Sequence, residues 1–235
     1  MNAYDSLENS LKLINTQLGR DKMCRFIQYF IKFIVPHIAA KGPQNNDIKE
    51  RLEKLGGNMS MTRKVLRFGK PIPLIKTIID RFAEHQKKPV RMFWLRTIND
   101  ISLILYFLTD HPMYFQKVGL VKMEKDLVNQ IDYINNLTWL VNAVLDVVCD
   151  LSDFMHMQNE IKVLKKSGDP SNAEVRIQIK QLQANSFIKL LSVIRASADI
   201  PVIFHFMGSD KIGSSFAGFL GTISSSVSLY NLWGK

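Results

Sequence analysis

Asp146, Asp150, Asp153 and His156 fall at i, i+4, i+7 and i+10, so a helix through them presents three carboxylates and an imidazole along one edge. Such groups bind a divalent metal only when ligands converge, usually from more than one helix. No second acidic cluster of matching spacing exists in the chain. The edge therefore reads as a solvated helix face, and no metal is expected. Nucleophilic chemistry has no better footing. There is no GxSxG elbow, no phosphate-binding loop and no HExxH pair, and the five histidines are scattered. His111 and His205 sit in apolar company, which suits packing or local hydrogen bonds. Cys24 and Cys149, the only cysteines, have no CxxC spacing and imply neither a disulfide framework nor zinc. No catalytic residue, cofactor or metal is expected, and the chain does not read as an enzyme.

The residues that could do physical work are cationic and apolar. Residues 59–88 carry Arg63, Lys64, Arg67, Lys70, Lys76, Arg81, Lys87 and Lys88 against Asp80 and Glu84. The same stretch places Ile72, Ile75, Ile78, Ile79 and Phe82 on one helix face. A cationic amphipathic helix lies in a bilayer interface with its apolar side among the acyl chains. Each basic residue near an acidic surface contributes roughly 1 kcal/mol, less at high salt. The same pattern also describes a solvated face over a protein core. On the membrane reading, Arg63, Lys64, Arg67, Lys70 and Lys76 hold head groups while Ile72, Ile75, Ile79 and Phe82 form the wedge. Nucleic acid is not expected as the anionic partner. Phe68 and Phe82 are the only aromatics among these charges, too few for base stacking, and no nucleic-acid-binding motif is present.

Ile212 to Trp233 is a run of 22 residues without a charged side chain. As a helix it would be roughly 33 Å long, enough for the apolar core of a bilayer. Gly213, Ala217, Gly221 and Ser225 recur every fourth residue, as do Ser214, Gly218, Thr222 and Ser226 one position along. Small residues so spaced give one flat face that lets another helix approach closely, within one subunit or between two. Six serines in the run also suit a buried helix of a bundle. Length favours a span, and 212–233 is expected to be a carboxyl-terminal transmembrane helix.

The elements that would position these residues are almost all helical, since clean period-two runs are few and Gly and Pro cluster at a handful of points. The expected class is all-α: amphipathic helices, an αα-hairpin and one or two membrane-embedded helices. A first long helix should run from near Arg20 to Val35, stopped by Pro36, with Met23, Phe26, Ile27, Phe30, Ile31 and Ile34 on one stripe. A second covers Asp47 to Leu66, and a third runs from the Pro71–Pro73 start to about Gln86. Met92 to Thr109 is apolar but interrupted by Arg96, Asn99 and Asp100 on one face. It reads as a partly buried or interfacial helix, because a charge pair at mid-depth is costly unless it faces protein. Val121 to Lys166 lacks Gly and Pro and should form a very long helix. A turn follows at 167–170, with Asp169 as N-cap and Pro170 at the first helical position, and a return helix reaches about Ala198. The organisation expected is a basic helical module at 1–89, an apolar interfacial or membrane helix at 90–120, a hairpin at 121–200 and the terminal helix at 212–233.

Charge follows that division. Residues 1–88 hold 17 Lys/Arg against 8 Asp/Glu, and the remainder hold 14 against 13. A mean hydropathy of −0.01 with 22% charged residues leaves room for one or two spans at most. The first 20 residues have no long apolar run, so a cleaved secretory signal is not expected.

Several segments resemble one family. TQLGRDK at 16–22, followed by Arg25, Gln28, Tyr29 and Lys32, is similar to the opening of the peroxin-11 family of peroxisomal membrane proteins. SMTRKVLRFGK at 60–70 resembles its second signature. YFLTDHPMYFQKVGL at 106–120 is similar to its central segment, with Tyr114 near where the family often has Trp. Asp199-Ile-Pro201 with His205, and GFLGTISSSVSLYNLW at 218–233, resemble its closing segments. The resemblance implies a protein of the peroxisomal membrane, its amino-terminal module facing the cytosol, that elongates peroxisomes and promotes their division. It implies insertion of an amphipathic helix, here about Pro71–Gln86, into an acidic phospholipid membrane. Self-association into a homo-oligomer and cooperation with the dynamin-type fission machinery belong to the same expectation. A small-solute channel is the alternative, with Arg96, Asn99 and Asp100 lining a polar path.

Overall fold

The computed structural model describes residues 3–84, 90–167 and 172–233. Eight α-helices account for nearly all of these: α1 (Ala3–Asn15), α2 (Gln17–Ala39), α3 (Asn46–Leu66), α4 (Pro71–Ala83), α5 (Val90–Lys117), α6 (Lys125–Ser167), α7 (Ala173–Phe206) and α8 (Ser214–Leu232). A 3₁₀ turn at Pro43–Asn45 precedes α3, and the described residues contain no strand. The all-α expectation is met.

Neighbouring helices close a ring. α2 packs on α3 and α8, α8 on α7, α7 on α6, α6 on α5, and α5 returns to α3. α1 and α4 sit outside it, α1 against α2 and α4 against α5. The pairs Asp146–Arg195, Asp150–Lys189 and Gln158–Ser186 run in opposite senses along α6 and α7, so these two helices form the expected antiparallel hairpin. The residues given to its turn, Asp169 and Pro170, lie outside the described residues. Asn172 caps α7, its side chain accepting from the Glu174 N–H at 2.9 Å.

Prolines do not stop the helices where the sequence alone suggests. α2 continues through Pro36 to Ala39, and α7 carries Pro201 inside it. Proline removes one N–H donor from the ladder. In α2 this leaves the Lys32 carbonyl without its helical partner, and the helix still continues, with α8 packed along it and the Ser215 hydroxyl donating to the neighbouring Phe33 carbonyl at 3.2 Å. α7 ends at Gly208, whose φ of +87° suits a residue without Cβ, with the Ser209 N–H reaching back to the Phe204 carbonyl at 3.0 Å.

α8 corrects the expectation of a terminal span. It is 19 residues long, and among the described residues no helix is long and apolar enough to cross a membrane. Being free of charge is not the same as being apolar: the glycines and serines that make its flat face dilute its hydropathy. That face lies on α2. A Cβ on Gly218 would stand 2.3 Å from the Phe33 backbone nitrogen, and one on Gly221 would stand 2.3 Å from the Tyr29 ring. Two of its buried hydroxyls bond back along the helix, Ser225 to the Gly221 carbonyl at 2.6 Å and Ser228 to that of Ser224 at 2.9 Å.

Candidate functional site: an ionic interior under exposed apolar helices

The ring buries charge. Asp21 at the start of α2 is 2% exposed, yet it faces Arg63 at 3.3 Å, Arg67 at 3.6 Å, Lys70 at 3.3 Å and Lys22 at 3.8 Å. Asp110 on α5 is equally buried and pairs with Lys64 and Arg67. The Tyr106 hydroxyl accepts from Arg67 at 2.7 Å, and the Arg67 guanidinium lies over the same ring. Arg25 pairs with Asp199 and approaches the faces of Tyr29 and Trp139. Thus α2, α3, α5 and α7 are tied together through their charged side chains. Burial by itself would raise the carboxyl of Asp21, but Lys22, Arg63, Arg67 and Lys70 hold it well below the usual carboxylate range. Asp110 is held down in the same way, against its burial, by Arg67 and Lys64. Burial pushes Tyr106 up to about 12, with Arg67 opposing.

A second polar seam joins α5, α6 and α7. Asn99 donates to Asp146 at 2.7 Å and accepts from Asn142 at 2.7 Å. Arg195 reaches Asp146 at 2.7 Å, Arg96 reaches Asp153 at 2.6 Å, and Lys189 bridges Asp150 and Asp153 at 2.7 and 2.8 Å. Three carboxylates of the edge singled out by spacing are therefore each matched by cations of the neighbouring helices. His156 instead pairs with Glu160 on its own helix. The described residues hold no group of side chains that could bind a metal ion.

The exterior is apolar to an unusual degree for a lone bundle. α4 leans on α5 through Arg81, which bonds Asp100 and Thr97, and through Phe82, edge-on to Phe93 at 4.9 Å. Away from that contact Ile72 is 71%, Ile75 48% and Ile79 62% exposed, and Phe82 itself stays 47% exposed at the edge. Trp94, Ile98, Ile101, Leu105 and Leu108 continue this surface along α5 at alternating steps of four and three. Along α6, Ile134, Leu137, Val141, Val144, Val148, Leu151 and Met155 do the same.

The structure separates the residues that sequence grouped as one membrane-binding set. Ile72, Ile75, Ile79 and Phe82 are exposed on α4, and Lys76 is exposed beside them but paired with Asp80 at 2.6 Å. Arg63, Lys64 and Arg67 are buried on the carboxylates, and Lys70 is largely buried with them. Of the small residues named for helix packing, Ala217, Gly218 and Gly221 are buried, Gly218 and Gly221 against α2, while Gly213 has open space around it. One surface escaped the sequence reading. Tyr4, Leu7, Leu11, Ile14 and Leu18 form an exposed stripe on α1 and the joint after it. Their steps of three and four were visible in the sequence, but residues 1–20 were read only for a long apolar run.

Fold and surface together define an all-α bundle that pairs its charges inside and turns apolar stripes outward. The sequence model of Peroxisomal biogenesis factor 11 (PEX11) matches residues 7–233, and the chain belongs to that family. It is 21% identical to the Peroxisomal membrane protein 11 homolog of Dictyostelium discoideum, over 97% of this chain and 95% of that protein. It is 24% identical to Peroxisomal membrane protein 11C of Arabidopsis thaliana, over 93% and 88%. With Peroxisomal membrane protein 11B of Bos taurus the identity is 22%, over 91% and 92%. No solved structure matches the chain.

Proposed function

We propose that this chain is a non-enzymatic protein of the peroxisomal membrane that remodels and elongates peroxisomes and promotes their division. The family membership and the names of its relatives support the compartment. The observation that carries the mechanism is the exposed apolar face of α4, formed by Ile72, Ile75 and Ile79, with Phe82 half exposed at its edge against α5. Burying what these four expose is worth roughly 3 to 7 kcal/mol, taking 1.5–3 kcal/mol for a fully buried side chain of this size. With Arg63, Lys64 and Arg67 committed inside, apolar burial rather than head-group attraction drives insertion in this reading. The wedge expands one leaflet facing the cytosol. Many wedges side by side are needed, so self-association belongs to the proposal, and the exposed stripe on α6 offers a surface for it. Recruitment of dynamin-type fission machinery completes the proposed role.

The full chain added to small vesicles containing acidic phospholipid is expected to bind and tubulate them. Ile75→Glu with Ile79→Glu is expected to remove both effects while leaving thermal unfolding nearly unchanged, since both side chains face outward. Tubulation by the double variant at the wild-type level sinks the wedge. The alternative, a small-solute channel, would draw on Arg96, Asn99 and Asp100, and each of these already has a partner within the chain. Solute conductance of the reconstituted chain above that of protein-free bilayers would nonetheless restore it.

A further inference from the structure

The buried charges do not balance. Around Asp21 and Asp110 stand Lys22, Arg63, Lys64, Arg67 and Lys70, five cations to two carboxylates. Asp21 is shared by four of them, at separations of 3.3 Å and more, longer than a charge-assisted hydrogen bond prefers. A positive charge held out of water without a partner is costly, and a surplus of them repel one another as well. Burial, aided by Arg25, Lys70 and Arg195 and opposed by Asp21, accordingly pushes the Lys22 ammonium down to about 7.

The same groups line a cavity of about 540 Å³ between α2, α3, α5, α6 and α7. Lys22, Arg25, Arg63, Arg67, Lys70 and Arg195 face it against Asp21, Asp146 and Asp199. Arg25 is 4% exposed, and its Nε is a buried donor with no hydrogen-bond partner among the described residues. Two observations, a surplus of cations and an orphaned guanidinium N–H, thus converge on one hollow. Leu18, Leu103 and Phe107, with Pro73 and Leu74 of α4, give the same cavity an apolar part of its lining.

We propose that this interior cavity is a binding site for a phosphate-type anion, seated on Lys22, Arg25, Lys70 and Arg195. Close to two negative charges and three acceptor oxygens match several converging donors better than a single chloride does. A phospholipid head group and a free phosphate share this chemistry. The apolar lining from α4 suits the first, since acyl chains could leave beside the exposed face of that helix.

The test uses the full chain in a phosphate-free maltoside detergent at about pH 7, where a phosphate monoester carries close to two charges. Inorganic phosphate is expected to raise the unfolding temperature saturably over chloride of equal ionic strength, because it binds the folded state alone. Lys22→Met, which removes a cation whose only ion pair among the described residues spans 3.8 Å, is expected to fold and to weaken the response about tenfold, the scale of one lost charge-assisted contact. Lys76→Met, exposed on α4, is expected to leave it unchanged. Monomeric short-chain phosphatidic acid distinguishes the sources. Binding about tenfold tighter than inorganic phosphate assigns a head group, and equal binding assigns a free phosphate. If neither probe stabilises the chain beyond chloride, or if Lys22→Met keeps the full response, the proposal is overturned.

Discussion

Asp21 is the residue on which the interior turns. Its carboxylate stands against Lys22, Arg63, Arg67 and Lys70, from α2, α3 and the link to α4. Removing one side of a buried pair leaves an uncompensated charge and costs about 3–5 kcal/mol, several times the worth of an exposed pair. Asp21→Asn is therefore expected to destabilise the chain by at least about 3 kcal/mol in denaturant unfolding. The pH dependence follows from the carboxyls of Asp21 and Asp110 being held below their unfolded values. The unfolded chain then binds more protons than the folded one in acid, so the contribution of these two carboxyls is fully present above about pH 5 and is lost as pH drops through the ordinary carboxylate range near 4 and below. A wild-type stability that stays level down to about pH 3 would contradict this assignment. None of it was legible as such. Arg63, Lys64 and Arg67 read as a surface patch because one-dimensional charge counts do not reveal that Asp21 is the partner of Arg63, or that Asp110, 43 positions beyond Arg67, is the partner of Lys64 and Arg67. The weak hint was Tyr106 and Asp110, an i,i+4 polar pair inside an otherwise apolar run.

At the scale of the element, periodicity told more than punctuation. The helices α2 and α4, and the long Gly- and Pro-free stretch that became α6, stand close to where spacing put them, but the face α2 buries is Asp21, Arg25, Tyr29, Ile31 and Val35, while Ile27 and Phe30 of its apolar stripe are exposed. Helix ends depended on single residues and were less legible: α2 runs past Pro36 to Ala39, with α8 packed along it. The small-residue face of 212–233 was visible, but not what it meets. Sequence spacing shows that a helix can be approached closely, whereas composition averaged over the run decides whether it can span. α8 uses its face on α2, with Gly221 against the Tyr29 ring and Gly218 against the backbone at Phe33. Gly221→Leu is therefore expected to destabilise the monomer by about 1–3 kcal/mol or more through overpacking. Urea unfolding of the isolated chain measures it. Unchanged stability with a loss of crosslinked oligomer would instead place that face between subunits.

Across the whole molecule the usual partition is reversed. Asp21, Arg25, Asp110 and Asp199 are among the most buried side chains, while Ile72, Trp94, Leu108, Val144 and Phe216 are among the exposed. In water such a surface favours association, so a lipid or a second copy of the chain is its natural complement. Buried charge then makes sense, because groups paired inside the ring need not be desolvated again when the outside meets hydrocarbon. The tryptophans report which complement it is. Trp94 is 51% exposed on α5 next to the α4 wedge, whereas Trp139 faces inward, stacked near Tyr106 and Phe206 and under Arg25. Two single-tryptophan variants, each with the other positions replaced by Phe, isolate the two environments. On vesicles containing lipids brominated in the acyl chains, fluorescence of the Trp94 variant is expected to shift blue and be quenched. The Trp139 variant should keep its emission, and acrylamide should lose access to Trp94 but not change its access to Trp139. Equal acrylamide quenching of Trp94 with and without vesicles would mean that the apolar exterior does not meet lipid. Protection from acrylamide without quenching by bromine would hand that surface to another copy of the chain.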